Sequence, residues 1–207
     1  AVPFTLILLQ PDLGSALIIF FIWVGMTLVA GIRLRYVLML AVAGIASIVL
    51  AWFYVLVPYQ QQRILTFLNP SADPQGAGYN ALQSMIAVGS GQLWGKGVGY
   101  GSQSRLQFLP ESRTDFMFAA FAEEWGFVGV ALLMLSLGVF LWRVLSIGES
   151  SCANFPKLFS IGFSILIVVE SVIHVGMNMG VLPITGITFP FMSYGGSSLL
   201  ALFMGIG

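Results

Sequence analysis

A series of long apolar runs, nearly free of charge, constrains this chain more than any other feature. Leu13–Ala30 contains no charged residue, and Tyr36–Val57 is a second such run. Phe116–Trp142 is interrupted only by Glu123 and Glu124, and Leu158–Met179 carries Glu170 and His174. Phe189–Gly207 begins a fifth run. A helix needs about 20 apolar residues to cross the hydrocarbon core of a bilayer. Continuous apolarity of this length therefore predicts an all-α polytopic membrane protein with about five transmembrane helices in this stretch. The expected spans are 13–30, 36–57, 116–142, 158–179 and 189–207, within one membrane domain covering 1–207.

Composition supports the same class. Of 207 residues, 58% are hydrophobic and 8% charged, too few charges to cover a soluble domain, which carries about 25%. Eight basic residues balance eight acidic ones, so there is no basic excess for nucleic acid phosphates. The apolar content excludes disorder. The single Cys152 allows no internal disulfide. The chain has no initiator Met, and both ends fall in apolar runs, so it is expected to be an internal piece of a larger protein.

Cytoplasmic loops are enriched in Lys and Arg. Gly31–Arg35 holds Arg33 and Arg35, and Arg143–Lys157 holds Arg143 and Lys157. Placing both connections inside puts 58–115 outside as a long extracytoplasmic loop. That loop also holds Arg63, Lys96, Arg105 and Arg113. Either the outer side needs positive charge, or a long loop translocates regardless of it.

Within the loop, Ala81–Val88 has an apolar face at helical spacing and predicts a short helix lying at the membrane interface. Gly89-Ser90-Gly91 and Gly95-Lys96-Gly97-Val98-Gly99 follow. Successive glycines can expose backbone N–H groups to an anion, which makes Lys96 the centre of a candidate phosphate cradle. Glycine turns in a re-entrant loop are the commoner explanation. Ser112-x-x-Asp115 has the form of a helix cap with an acid in the first turn. The alternative is that Asp115 is a base at the water–lipid boundary, and pattern alone favours the cap.

Glu123 and Glu124 are costly in hydrocarbon and must face protein or water. Adjacent helical residues point about 100° apart, so one partner cannot easily serve both. Glu170, His174 and Asn178 share one face at i, i+4 and i+8, which reads as an interhelical hydrogen-bonding seam more readily than as a proton or substrate path. One His and one Glu make a poor metal site.

Several strings occur together in a recognisable order: Gln10-Pro11-Asp12-Leu13-Gly14-Ser15-Ala16, Asn69-Pro70 with Asp73-Pro74-x-Gly76-x-Gly78-Tyr79, and Gln83-Ser84 with the glycine turns. Phe108-Leu109-Pro110-Glu111 with Thr114-Asp115-Phe116, Ala122-Glu123-Glu124, Gly126-Phe127-Val128-Gly129, Pro183-x-Thr185-Gly186 and Ser193-Tyr194-Gly195-Gly196-Ser197-Ser198 complete the set. In this the chain resembles the SEDS proteins, the RodA/FtsW/SpoVE family, across essentially its whole length. Gly95-Lys96-Gly97 and Gly101-Ser102-Gln103-Ser104 are closer to the RodA form. It departs at His174, where the family often has Asn, and at Gly186-Ile187-Thr188-Phe189-Pro190, where it often has Gly-Ile-Pro-Leu-Pro.

The resemblance implies about ten spans in a full member, with this chain the C-terminal half. It implies a peptidoglycan glycosyltransferase of the bacterial cytoplasmic membrane. Such an enzyme polymerises lipid II, the undecaprenyl-pyrophosphate-linked precursor, beside a class B penicillin-binding protein. The family's essential aspartate matches Asp115. Inverting glycosyl transfer needs a base on the acceptor side, the role expected of Asp115. The leaving pyrophosphate needs positive charge, for which Lys96, Arg105, Arg113 and Arg63 are candidates, alone or with a divalent cation, Mg or Mn. Glu111 is expected to orient a basic residue, and Gln83 to line the substrate site. Glu123, Glu124, Glu170 and His174 are expected to be structural polar groups in the spans. Two readings of other classes stand beside this one. A lipid-linked precursor flippase would use charged residues within spans. A non-catalytic scaffold for the penicillin-binding protein would leave Asp115 dispensable.

Overall fold

The structure is a computed structural model that describes residues 13–29, 76–105, 109 and 113–206, with scattered residues between 31 and 67. The second expected span, 36–57, therefore lies largely outside the described residues. So do Asp73, Arg63 and Glu111, and of Arg105 only the backbone is described.

Six helices make up the described fold: α1 (Leu13–Val29), α2 (Ala77–Ser90), α3 (Ser102–Arg105), α4 (Met117–Ser150), α5 (Asn154–Asn178) and α6 (Gly196–Ile206). No strand occurs among the described residues. Helices α4 and α5 are long and apolar enough to cross a membrane. With Leu132, Leu135, Val139 and Trp142 of α4 exposed, the outward face is one that lipid rather than water would cover. The fold is that of a polytopic membrane protein.

Several boundaries differ from expectation, each for a physical reason. Helix α4 runs on to Ser150 and α5 starts at Asn154, so Arg143 and Lys157 lie inside helices and the connection shrinks to 151–153. Loss of apolarity marks the edge of a hydrocarbon layer and does not stop a helix. The fifth span begins as helix only at Gly196 rather than Phe189. Residues 189–195 form an irregular turn with Pro190 buried and Phe191 at φ 61, a left-handed backbone that a helix cannot contain. The Phe191 ring is held between Phe140 and Phe203, at 5.3 and 5.9 Å between centroids.

Three apolar clusters hold the elements together. Ala87 of α2, Leu109, Phe116 and Ala119 of α4 form one. Ile18 of α1, Ile173 of α5 and Ile187 form a second. Phe163 and Ile167 of α5 pack with Leu202 of α6 in the third, against Leu137, Phe140, Leu141 and Val144 of α4. Helix α2 is thus packed into the bundle with Ser84 and Ala87 fully buried. The expected 81–88 helix is present and longer at both ends.

Candidate active site

Helix α4 lacks its own hydrogen bonds at two places, and the site is built around both. The first N–H groups of any helix have no intrahelical acceptor. In α4 the Phe118 N–H donates to His174 Nε2 at 3.4 Å and the Ala119 N–H donates to Asn178 Oδ1 at 3.2 Å. Both acceptors come from α5. The residue at the N-cap position is Phe116, with no side-chain cap of its own. The Ser112-x-x-Asp115 cap is therefore not what starts this helix: Asp115 precedes the N-cap, in a turn over residues 113–116. Ser112 lies outside the described residues.

That turn is gripped along its backbone. The Arg113 carbonyl accepts the Tyr194 N–H at 2.9 Å, the Thr114 carbonyl accepts the Ser193 hydroxyl at 2.8 Å, and the Asp115 carbonyl accepts Asn178 Nδ2 at 3.1 Å. Asn178 is fully buried and spends every polar atom. Nδ2 also donates to the His174 carbonyl at 2.8 Å, and Oδ1 also accepts the Ser84 hydroxyl at 3.2 Å. His174, buried as well, sits 2.7 Å by Nδ1 from the Ile187 carbonyl. With Nε2 accepting from Phe118, Nδ1 must carry the proton, so the ring is the neutral Nδ1–H tautomer. The Asp115 side chain is half-buried, and a Cβ added to Gly186 would lie 3.7 Å from its Oδ2. The Gly186 turn thus forms the wall opposite the carboxylate.

The second gap in α4 is at Gly126, whose φ 64 and ψ −167 interrupt the helix. The segment following α2 repairs it. Gln92 and Leu93 carbonyls accept the Phe127 and Val128 N–H groups at 2.8 and 3.1 Å. The Lys96 and Gly97 N–H groups donate to the Glu123 and Glu124 carbonyls, both at 3.0 Å. Four main-chain bonds replace those the break removes. Side chains lock the same loop. Lys96 Nζ is 2.8 Å from Glu123 Oε1, which also accepts the Ser102 hydroxyl at 3.1 Å and the Gln103 N–H at 3.2 Å. Glu124 Oε1 accepts the Gly99 N–H at 3.1 Å. The two adjacent glutamates have separate partners, as their angular separation requires.

The expected site residues fall into groups. Asp115 and the exposed Arg113 share one turn. Gln83 is half-buried on α2, next to Ser84. Lys96, expected to face phosphate, has its ammonium bonded to Glu123 and Ser102 instead, because a buried carboxylate needs a charge partner more than an outer loop does. Glu170 has a buried Oε2 without a hydrogen-bond partner among the described residues. Ser193 and Tyr194 hold the Asp115 turn, a role that no charge or helical spacing in the sequence marks. Their only signal there is membership of the Ser193-Tyr194-Gly195-Gly196 string. Among the described residues no three His, Cys, Asp or Glu side chains come together as a metal site.

Comparison with known proteins points one way. The family model for FtsW, RodA and SpoVE, described as cell cycle protein, matches residues 1–207. Peptidoglycan glycosyltransferase MrdB of Escherichia coli K12 is 38% identical over 205 residues, covering 99% of this chain and 55% of its own length. Probable peptidoglycan glycosyltransferase FtsW of Thiomicrospira cyclica is 42% identical, covering 98% of this chain and 52% of its own length. Among solved structures, a chain of a peptidoglycan synthase complex that coordinates polymerization and crosslinking superposes with a TM-score of 0.75. It has 34% identity, over 98% of this chain and 55% of that one. A mutant of the rod shape determining protein RodA of Thermus thermophilus gives 0.61 at 29% identity, over 98% and 50%. The chain spans about half the length of the curated relatives it matches. On these matches along its whole length, the chain belongs to the FtsW/RodA/SpoVE family.

Proposed function

We propose that this chain is part of a multi-pass enzyme of the bacterial cytoplasmic membrane that polymerises lipid II into glycan strands for cell wall elongation and shape, with about five of its spans here. Asp115 is its general base. The observation that carries the reading is a carboxylate on a turn whose three carbonyls are each held by a partner, facing a glycine-lined wall. A base needs a fixed position before it needs strength. Relatives named as peptidoglycan glycosyltransferases support the chemistry.

In the proposed reaction the 4-hydroxyl of the acceptor sugar gives its proton to Asp115 as its oxygen attacks C1 of the donor. The C1–oxygen bond to pyrophosphate breaks on the opposite face, and the undecaprenyl pyrophosphate leaves with the bonding pair. The leaving group needs positive charge rather than a proton. Arg113, with Arg105 and Arg63, supplies it. Lys96 holds the loop. A class B penicillin-binding protein is the proposed partner, in keeping with the complex to which this chain is similar. A flippase would need its span carboxylates available to substrate, whereas Glu123 and Glu124 are bonded to the loop and, of the three, Glu170 alone keeps a buried oxygen without a hydrogen-bond partner among the described residues.

The test is polymerisation of lipid II by the purified full-length enzyme of which this chain is part. Asp115→Ala and Asp115→Asn are expected to lose at least about 100-fold in turnover, the usual contribution of a general base. Near-normal glycan formation by either folded variant overturns the assignment. Relocation of labelled lipid II across vesicles with no polymer formed would favour the flippase.

A further inference from the structure

Two walls face each other across the candidate site. One is the Asp115 turn, and the other is the Gly186 turn between α5 and α6. Among the described residues only Asp115 Oδ2, at 3.7 Å, comes within 4 Å of the place where a Gly186 side chain would begin. That position is in van der Waals contact with the carboxylate, so the glycine marks a slot beside Oδ2 by which an acceptor hydroxyl would approach.

A single imidazole ties the walls together. His174 donates from Nδ1 to the Ile187 carbonyl, next to Gly186, and accepts at Nε2 from the Phe118 N–H, at the start of α4. Asn178, one turn on, binds the Asp115 carbonyl and the Ala119 N–H together. The Ser84 hydroxyl shares its one hydrogen between the Asn178 carbonyl at 2.9 Å and Asn178 Oδ1 at 3.2 Å. All three residues are fully buried, so water cannot replace a lost bond without rearrangement. Both ring nitrogens of His174 are committed to backbone, which leaves it no part in proton transfer.

We propose that His174 and Asn178 are positioning residues for Asp115. They set the gap between its carboxylate and the Gly186 turn, and so decide whether the acceptor hydroxyl meets the base in reacting geometry. The inference rests on Asp115 being the base. It places the specificity of the slot in a seam that touches no substrate.

The experiment compares steady-state lipid II polymerisation by His174→Ala, His174→Gln and Asp115→Ala in the purified full-length enzyme, with the thermal midpoint of each protein measured alongside. His174→Ala loses both bridging bonds. Its kcat is expected to fall roughly 10- to 100-fold, the scale for an ångström of misplacement, with KM for lipid II within about twofold of wild type. His174→Gln keeps one donor and one acceptor and is expected to recover at least a third of the lost kcat on a logarithmic scale. If His174→Ala does not fold, Ser84→Ala carries the test. It frees Asn178 on one side and is expected to lower kcat about threefold to tenfold at unchanged KM. Wild-type kcat in the folded variant overturns the proposal. So does a loss that appears in thermal midpoint and KM alone, or that Gln does not relieve. Asp115→Ala separates the two ideas: activity there removes the base assignment. An inactive Asp115→Ala beside a fully active His174→Ala removes only the positioning role.

Discussion

The two gaps in α4 are repaired by different means. At the N-terminus, side chains from another helix supply acceptors to Phe118 and Ala119. At Gly126, a loop supplies main-chain donors and acceptors to residues 123, 124, 127 and 128. Main-chain repair specifies few residue types but demands room, because two backbones must come within bonding distance. Side-chain repair demands specific residues but leaves the neighbouring turn free to carry a functional group. Asp115 sits beside the side-chain repair. Nonhelical backbone at membrane depth is tolerated only where protein or water satisfies it, so both repairs are conditions of the fold as well as of the site.

The sharpest way to break the comparison is Gly126→Ala. The added Cβ would meet the Gly95 nitrogen at 2.3 Å and the Leu93 carbonyl oxygen at 2.7 Å, both backbone atoms with no rotamer to yield. The backbone at φ 64, ψ −167 also lies where essentially only glycine is found. Strain and overlap together should cost about 3–5 kcal/mol, visible as a lost or strongly lowered thermal midpoint. A midpoint within 2 °C of wild type would show that the loop is not seated on the break.

A smaller effect is expected at the ion pair that locks the same loop. Glu123→Gln keeps the shape and one acceptor oxygen but removes the charge facing Lys96. The Glu123 side chain is fully buried while that of Lys96 is 33% exposed, so solvent shares part of the loss. The cost should be about 1.5 kcal/mol, and the four main-chain bonds should hold the loop in place. Protection of the Lys96 and Gly97 amides from hydrogen exchange measures this directly. Full exchange in Glu123→Gln would mean that the side chains, not the backbone splice, hold the loop.

The sequence carried some of this and not the rest. Spacing at i and i+4 put His174 and Asn178 on one helix face, and burial cost implied interhelical partners for them. It could not show that those partners are mostly backbone, since backbone groups leave no trace in residue identity. Separate partners for Glu123 and Glu124 followed from helix geometry alone. The break at Gly126 did not, because one glycine in an apolar run is ordinarily tolerated. Only the approach of the Gly91–Gly97 loop gives it meaning, and that approach is a tertiary fact. The last helix starts at Gly196, inside the apolar run from Phe189, for a similar reason: apolar counting does not register the left-handed backbone at Phe191. Asp115 stood out through family resemblance, while its local pattern pointed to a cap that α5 in fact supplies.

The smallest effect has the opposite sign and serves as the control for Gly126. Gly138 lies on the same helix, in its regular part, and a Cβ built there meets nothing within 4 Å among the described residues. The same substitution, Gly138→Ala, therefore adds no overlap and no strain. It removes backbone freedom from the unfolded chain and favours the helix by up to about 1 kcal/mol. The thermal midpoint should rise by a degree or two or stay level, with polymerisation unchanged. A clear fall would mean that Gly138 is a close-packing position against lipid or a partner helix, as small residues often are in membranes. In that case the intolerance expected at Gly126 could no longer be credited to the splice, because glycines along α4 would be under a common demand for close approach. A rise at Gly138 beside a collapse at Gly126 ties the demand for glycine to the one point where the loop's backbone meets the helix.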